Sequence, residues 1–181
     1  MDNSFPVLKT ERLVLRQITE QDSMDMMEYL SDPEVMKYYG LQPFHSKQEA
    51  LDEVEWYTNI FQTNVGIRWG ITLAGQDKLI GSCGFLNRDK RHHRTDIGYE
   101  LAREYWNKGI MAEAIKAVVT YGYTNYEINR VQALVEPENM ASRRLLEKVG
   151  FKEEGLLYEY EFSNGKYDDL IMYSLLKKNF L

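Results

Sequence analysis

Between Asp96 and Phe151 the spacing of apolar residues switches repeatedly between two periods, and no other stretch constrains the fold as strongly. From Asp96 to Leu101 the residues alternate, with Ile97, Tyr99 and Leu101 on one face and Asp96, Gly98 and Glu100 on the other. From about Gly109 to Tyr126 a helical stripe follows, carried by Ile110, Ala114, Ala117, Val118 and Tyr121. Val131 to Val135 is a near-continuous apolar run, which reads as a strand buried on both faces, and Pro137 ends it. Helical spacing then resumes from Asn139 to Val149. Asn139 is a natural N-cap, Gly150 a natural terminator, and Leu145 with Val149 form the expected buried stripe. A strand–helix–strand–helix succession of this kind requires a sheet with helices packed on it.

The flanking segments extend the same plan. Arg12–Ile18 reads as a strand. Thr19 with Asp22 three residues on gives a helix-start signal, and a helix is expected to about Leu30, interrupted by Pro33. A second helix spans about Ser46 to Phe61. Strands follow at Ile67–Leu73 and Lys78–Phe85, joined by a turn at Ala74–Asp77. The chain closes with strands at about Lys152–Phe162 and Tyr167–Leu175. They flank Ser163-Asn164-Gly165, and Asn-Gly between two such runs is a hairpin signal. The order β-α-α-β-β-β-α-β-α-β-β defines a mixed sheet in the α/β (α+β) class. Without repeats or a Pro/Gly/Ser linker, residues 1–181 read as one domain.

Composition removes other classes. With 44% hydrophobic residues, 13 Tyr, 7 Phe, 3 Trp and a formal charge of -6, the chain is too apolar and too weakly charged for disorder. A single Cys, Cys83, leaves no intrachain disulfide and fits a reducing compartment. No apolar run reaches the ~18 residues of a membrane helix, and Met1 to Thr10 lacks an apolar signal-peptide core. A cytoplasmic protein without membrane or direct nucleic-acid partners is expected. His45, His92 and His93 lack metal-ligand spacing and no HExxH or CxxC is present, so no metal is expected.

Two blocks carry candidate chemistry. In Tyr105-Trp106-Asn107-Lys108-Gly109-Ile110-Met111-Ala112 a Gly-containing turn opens a helix, which leaves backbone N–H groups free beside the positive end of the helix dipole. That suits a phosphate group, although a Gly at a helix start also serves as a plain turn. The block is neither a P-loop nor a dinucleotide fingerprint. In Asn139-Met140-Ala141-Ser142-Arg143-Arg144-Leu145-Leu146 the polar residues open the second helix.

Taken together, "WNKGIMAEA", "VEPEN" and "NMASRRLLEKVGF", with the opening "LKTERLVLRQI" and the strand "IGYEL", resemble the GNAT acetyltransferase superfamily. They resemble most its RimJ/RimL-like branch of ribosomal-protein N-terminal acetyltransferases. The resemblance runs from Leu8 to about Leu176. It implies a strongly twisted mixed sheet of seven strands flanked by about four helices. The fourth and fifth strands, Asp96–Leu101 and Val131–Val135, are expected to splay apart around acetyl-CoA, the co-substrate.

Site residues follow from the resemblance. Trp106 and the backbone of Asn107, Lys108, Gly109, Ile110, Met111 and Ala112 would form the diphosphate loop. Asn107 and Met111 stand where the family usually has small residues, and Met111 is expected to point into the fold. The N–H groups near Tyr99 to Leu101 would polarise the thioester carbonyl. Asn139 matches an Asn that contacts the pantetheine arm or a water. Ser142 matches the Ser that protonates the departing thiolate, because Leu146 occupies the slot in which many relatives carry a Tyr. Arg143, with Arg144 and Lys148, pairs with CoA phosphates or simply solvates a helix face. Glu100 is either the general base, acting directly or through a water, or a surface Glu on a sheet edge. Cys83 reads as core rather than as an acyl nucleophile. Met24, Met26 and Met27 read as core, and Arg88 to Arg94 as a solvated loop.

The resemblance implies an amine acceptor. Ten acids and two bases lie between Glu20 and Glu55, a field that would draw a cationic amine if those acids do more than solvate helix faces. Tyr38, Tyr39, Phe44 and Trp56 are candidate pocket walls. The favoured activity is acetylation of a protein N-terminus, such as that of a ribosomal protein. Acetylation of a polyamine or aminoglycoside and a CoA-binding sensor without turnover are the alternatives. A homodimer is left open.

Overall fold

The computed structural model describes residues 4–181, so the first three residues of the Met1–Thr10 reading lie outside the described residues. The strands are β1 (Leu8–Lys9), β2 (Leu13–Gln17), β3 (Ile67–Leu73), β4 (Gly81–Asp89), β5 (Arg94–Leu101), β6 (Arg130–Val135), β7 (Lys152–Ser163) and β8 (Lys166–Leu176). They form one sheet in the order β1-β2-β3-β4-β5-β6-β8-β7. The helices are α1 (Ser23–Leu30), α2 (Pro33–Met36), α3 (Lys47–Gln62), α4 (Ile110–Asn125), α5 (Met140–Val149) and α6 (Lys177–Phe180). The strand beyond the expected seven is β1, two residues long and too short to leave a pattern. The strands expected fourth and fifth are therefore β5 and β6.

The β5–β6 pairing creates the site. It is parallel and consists of Arg94↔Arg130, Thr95↔Val131 and Asp96↔Gln132. Beyond Asp96 the two strands no longer pair, and an opening runs between Ile97–Leu101 and Ala133–Val135. This opening corrects the expectation that the β6 strand is buried on both faces. Val131, Ala133 and Val135 are buried, while Gln132 and Leu134 are only half-buried.

Local chemistry explains the other boundaries. Thr19 N–H donates to Asp22 Oδ2 at 2.8 Å, so the expected cap starts a short 3-10 turn that leads into α1. Pro33 opens α2 as its first residue, with Asp32 as the cap, instead of breaking a helix. Ser46 and Glu49 form a capping box at the start of α3. The third expected strand begins at Gly81 rather than Lys78, because Leu79 N–H is taken by Asp25 Oδ2 at 2.8 Å and its side chain joins a different core cluster. The β7–β8 hairpin turns at Asn164 and Gly165, both with positive φ (49 and 81).

Two apolar clusters hold the layers. One packs β2 to β6 and β8 against α4 and α5, through Trp69, Phe85, Val118, Tyr123, Leu146 and Tyr173 among others. The other packs α1, α2 and α3 against Ile18 and Leu79. On α5 the buried residues are Leu146 and Val149, with Leu145 only half-buried, which shifts the expected stripe by one residue. Met26 is fully buried, whereas Met24 is 61% exposed and leaves the expected core.

Candidate active site

At the start of α4, Gly109 adopts φ +75, a conformation that needs Gly, and Asn107 adopts φ +60. The first helical bond at this end runs from Glu113 N–H to Gly109 C=O at 3.1 Å. The N–H groups of Ile110, Met111 and Ala112 therefore point out of the helix end without a partner, as helix geometry requires. Met111 is buried, as expected, so its side chain does not obstruct that cradle.

The cradle is clamped from two sides. Trp106 Nε1 donates to Leu101 C=O at 2.7 Å and ties the turn to the end of β5. Arg12 donates to Lys108 C=O at 3.0 Å and to Glu113 Oε2 at 2.7 Å, while Thr10 Oγ1 donates to Glu113 Oε1 at 2.6 Å. The opening "TER" segment thus fixes a turn about a hundred residues away, a role that its own sequence does not reveal. The free donors, the positive helix end and the opening between β5 and β6 fit a diphosphate with an extended arm.

On β5, Ala102 N–H donates to Ile80 C=O at 2.8 Å. Antiparallel alternation then turns the N–H groups of Tyr99 and Leu101 away from β4 and toward the opening. Ser142 lies across from them in the first turn of α5. Its N–H donates to Asn139 Oδ1 at 3.1 Å, so Asn139 is both helix cap and anchor for this turn. The Ser142 hydroxyl lies 2.6 Å from the Tyr99 hydroxyl. Burial pushes the Tyr99 phenol well above its ordinary value, and the bond to Ser142 opposes that shift.

Arg143 is committed elsewhere. Its guanidinium donates to Tyr173 Oη at 3.2 Å and to Pro137 C=O at 3.1 Å, and pairs with Glu153 at 3.3 Å. Arg144 and Lys148 are exposed. Cys83 is fully buried, and burial pushes its thiol up to about 12, which keeps it a core residue rather than a nucleophile. Arg88 is not a solvated loop residue: it donates to Tyr126 C=O at 2.7 Å and lies over that ring.

Glu100 departs from one of its two expected settings, the surface edge. It is 5% exposed, with one oxygen on Arg68 Nη2 and the other on Ser82 Oγ. Burial raises its pKa, against the pull of Arg68 and Ser82. It is not on a surface edge, and with both oxygens engaged it does not reach an acceptor without a relay. Arg68 lies beneath the opening, and Gly98 leaves room for it, since a Cβ there would stand 2.8 Å from Arg68 Nη1. Sequence reading missed Arg68 because its own strand gives no sign that it faces Glu100.

A cavity of about 410 Å³ lies at this end of the opening. Its walls include Gly98, Tyr99, Asn139 and Ser142, then Tyr38, Tyr39 and Trp56, and three carboxylates, Glu53, Glu136 and Glu161. Two long-range bonds close the α2–α3 loop over it: Gln42 Nε2 donates to Asn164 Oδ1 at 2.7 Å, and Tyr38 Oη donates to Glu138 C=O at 3.4 Å. Of the ten acids between Glu20 and Glu55 only Glu53 lines this cavity. Asp22 and Glu28 form ion pairs, Asp32 and Glu49 cap helices, and Asp25 holds Leu79. Phe44 is buried in the helical cluster and does not line the cavity. Glu136 and Glu161 are the acids that sequence reading missed. Burial, with Asp168 nearby, raises the Glu136 pKa.

The sequence profile described as acetyltransferase (GNAT) domain matches residues 12–152. This chain therefore belongs to the GNAT acetyltransferase family, and it is an acetyl-CoA-dependent N-acetyltransferase. Among its relatives, the uncharacterized N-acetyltransferase YoaA of Bacillus subtilis (strain 168) is 41% identical over 173 residues, which cover 96% of this chain and 98% of that protein. The ribosomal protein uS5-alanine N-acetyltransferase of Escherichia coli (strain K12) is 26% identical over 180 residues, covering 93% and 89%. The structure of spermidine N-acetyltransferase from Vibrio cholerae in complex with CoA and spermine superposes with a TM-score of 0.80 at 25% identity, covering 94% of this chain and 99% of that one. Among the described residues no helix is long and apolar enough to cross a membrane.

Proposed function

We propose that this enzyme acetylates the α-amine of protein N-termini, of the basic, Ala- or Ser-initiated kind that ribosomal proteins present. The observation that carries this reading is the cavity beside Ser142, walled by Glu53, Glu136 and Glu161 together with Tyr38, Tyr39 and Trp56. Glu53 and Glu136 are half-buried and Glu161 is exposed, and together they favour a cationic acceptor; a cation would offset the cost that burial places on Glu136.

In this reading the cradle at 107–112 holds the diphosphate of acetyl-CoA, and the N–H groups of Tyr99 and Leu101 polarise the carbonyl that the amine attacks. Glu53, with one oxygen accepting from Tyr39 Oη at 3.1 Å, takes the proton that the amine gives up. Ser142 supplies a proton to the sulfur. Glu100 holds Arg68 under the cavity floor and acts only through it. A polyamine is the second reading, supported by the same carboxylates and by the likeness to the spermidine enzyme.

Mass spectrometry of acceptors after incubation with acetyl-CoA tests the assignment. One acetyl group on the α-amine of basic Ala- or Ser-initiated peptides is expected. Acetylation of spermidine or spermine with none on the peptides replaces it by the second reading. Binding of CoA with no acceptor modified leaves a sensor and removes both.

A further inference from the structure

Three phenols line the cavity, and each hydroxyl has a partner. Tyr38 donates to Glu138 C=O and Tyr39 to Glu53. Tyr99 Oη meets Ser142 Oγ at 2.6 Å, and among the described residues neither hydroxyl has another partner. A serine in the first turn of a helix commonly turns its proton back onto a backbone carbonyl of the preceding turn. Here the Glu138 carbonyl already accepts from Met140 N–H at 2.8 Å and from Tyr38. Either hydroxyl of the Tyr99–Ser142 pair can donate, and the phenol is the stronger acid, which favours donation from Tyr99 to the alkyl oxygen. With Tyr99 as the donor, the single proton of Ser142 is not used in that bond and can point into the opening.

We propose that Tyr99 is a positioning residue for acetyl transfer: its phenol donates to Ser142 Oγ and aims the Ser142 proton into the opening between β5 and β6. This rests on the reading of Ser142 as the proton donor to sulfur. Ser142 delivers its proton to the sulfur as the carbon–sulfur bond breaks and the electron pair stays on sulfur. Tyr99 returns a proton to Ser142 Oγ along the same bond, and water returns one to Tyr99. The acceptor enters as an ammonium and releases two protons by way of Glu53 to water, one to free the lone pair that attacks and one as the nitrogen bonds to the acetyl carbon. One matches the proton that sulfur gains and the other carries off the cation's charge, so protons and charge balance. The slot in which many relatives carry a Tyr for the proton transfer holds the fully buried Leu146 here, and the phenol stands behind the serine instead.

The test joins kinetics to a measurement on the resting protein. Thiol release from acetyl-CoA is followed with a Ser-initiated basic peptide, or with spermine if that is the amine acetylated. Tyr99→Phe is expected to lower kcat about tenfold, the scale of one hydrogen bond, without changing KM for acetyl-CoA. The double variant with Ser142→Ala is expected to be no slower than Ser142→Ala alone, because the phenol acts only through that hydroxyl. In carbon NMR with tyrosine labelled at Cζ, the signal lost in Tyr99→Phe is expected to shift in Ser142→Ala. A Tyr99 signal that Ser142→Ala leaves in place overturns the proposal. So does an unchanged kcat in Tyr99→Phe, or losses that multiply in the double variant. If kcat survives Ser142→Ala itself, the donor reading of Ser142 fails and this proposal falls with it. A loss in Ser142→Ala beside an unaffected Tyr99→Phe overturns this proposal alone.

Discussion

Glu53 and Glu136 make different contributions to the same cavity, and substitution separates them. Glu53→Gln keeps the side-chain shape but removes the carboxylate that accepts from Tyr39. It is expected to lower kcat with a cationic acceptor by about tenfold to a hundredfold, while calorimetric affinity for CoA stays unchanged. Glu136 is held with its pKa above the ordinary carboxylate value, first by burial and then by Asp168. Its folded form therefore binds protons more readily than its unfolded form, and its contribution to stability declines as pH rises from about 4.5 through the raised value. Glu136→Gln is expected to raise Tm at neutral pH, and the gain should shrink in melts below that range. Asn139 was legible as a cap because a helix start has a fixed local pattern, whereas Ser142 stood out only through the family resemblance. Glu53 was hidden among the other acids of its helices, since charge does not say which way a side chain faces. The meeting of Tyr99 with Ser142 joins residues 43 apart in sequence, and no local pattern encodes it.

Among the elements, the turn into α4 and the start of α5 carry the proposed site, and each depends on one residue. Gly109→Ala places a Cβ on a residue at φ +75. A cost of about 1 kcal/mol or more is expected in denaturant unfolding, together with weaker CoA binding by calorimetry, because the N–H groups turn with the backbone. Asn139→Ala removes the acceptor for Ser142 N–H and is expected to cost ~0.5–2 kcal/mol. Both elements were readable from their punctuation, as was the Asn-Gly hairpin. The boundaries that shifted did so where tertiary contacts outweighed pattern. Leu79 leaves the sheet ladder for Asp25 and the helical cluster. The α5 stripe falls on Leu146, which joins the main apolar cluster as α5 packs against α4 and β7.

For the whole molecule, the sheet is two ladders joined by three parallel pairs between β5 and β6, and the site is the gap where that joint stops. A ligand that lies in the gap and on the α4 turn touches both halves, so it should stabilise the entire fold. CoA at a hundred times its Kd is expected to add about 2.7 kcal/mol, seen as a rise in Tm that Gly109→Ala reduces. The element order and the family were legible because each element carries its own period and the motifs recur in a fixed order. The closure of the cavity was not. It depends on Gln42 meeting Asn164, 122 residues away, and on three carboxylates converging from α3, β6–α5 and β7. The central claim is that the gap delivers an acetyl group to a cationic amine, and free-thiol release from acetyl-CoA tests it most directly. The panel is a basic peptide beginning with Ala or Ser, spermidine, an aminoglycoside, and no acceptor. The account requires release that depends on a cationic amine and falls about a hundredfold in Ser142→Ala, or ~2.7 kcal/mol of transition-state stabilisation. Release that is indifferent to the acceptor, or none with any of them, would contradict it.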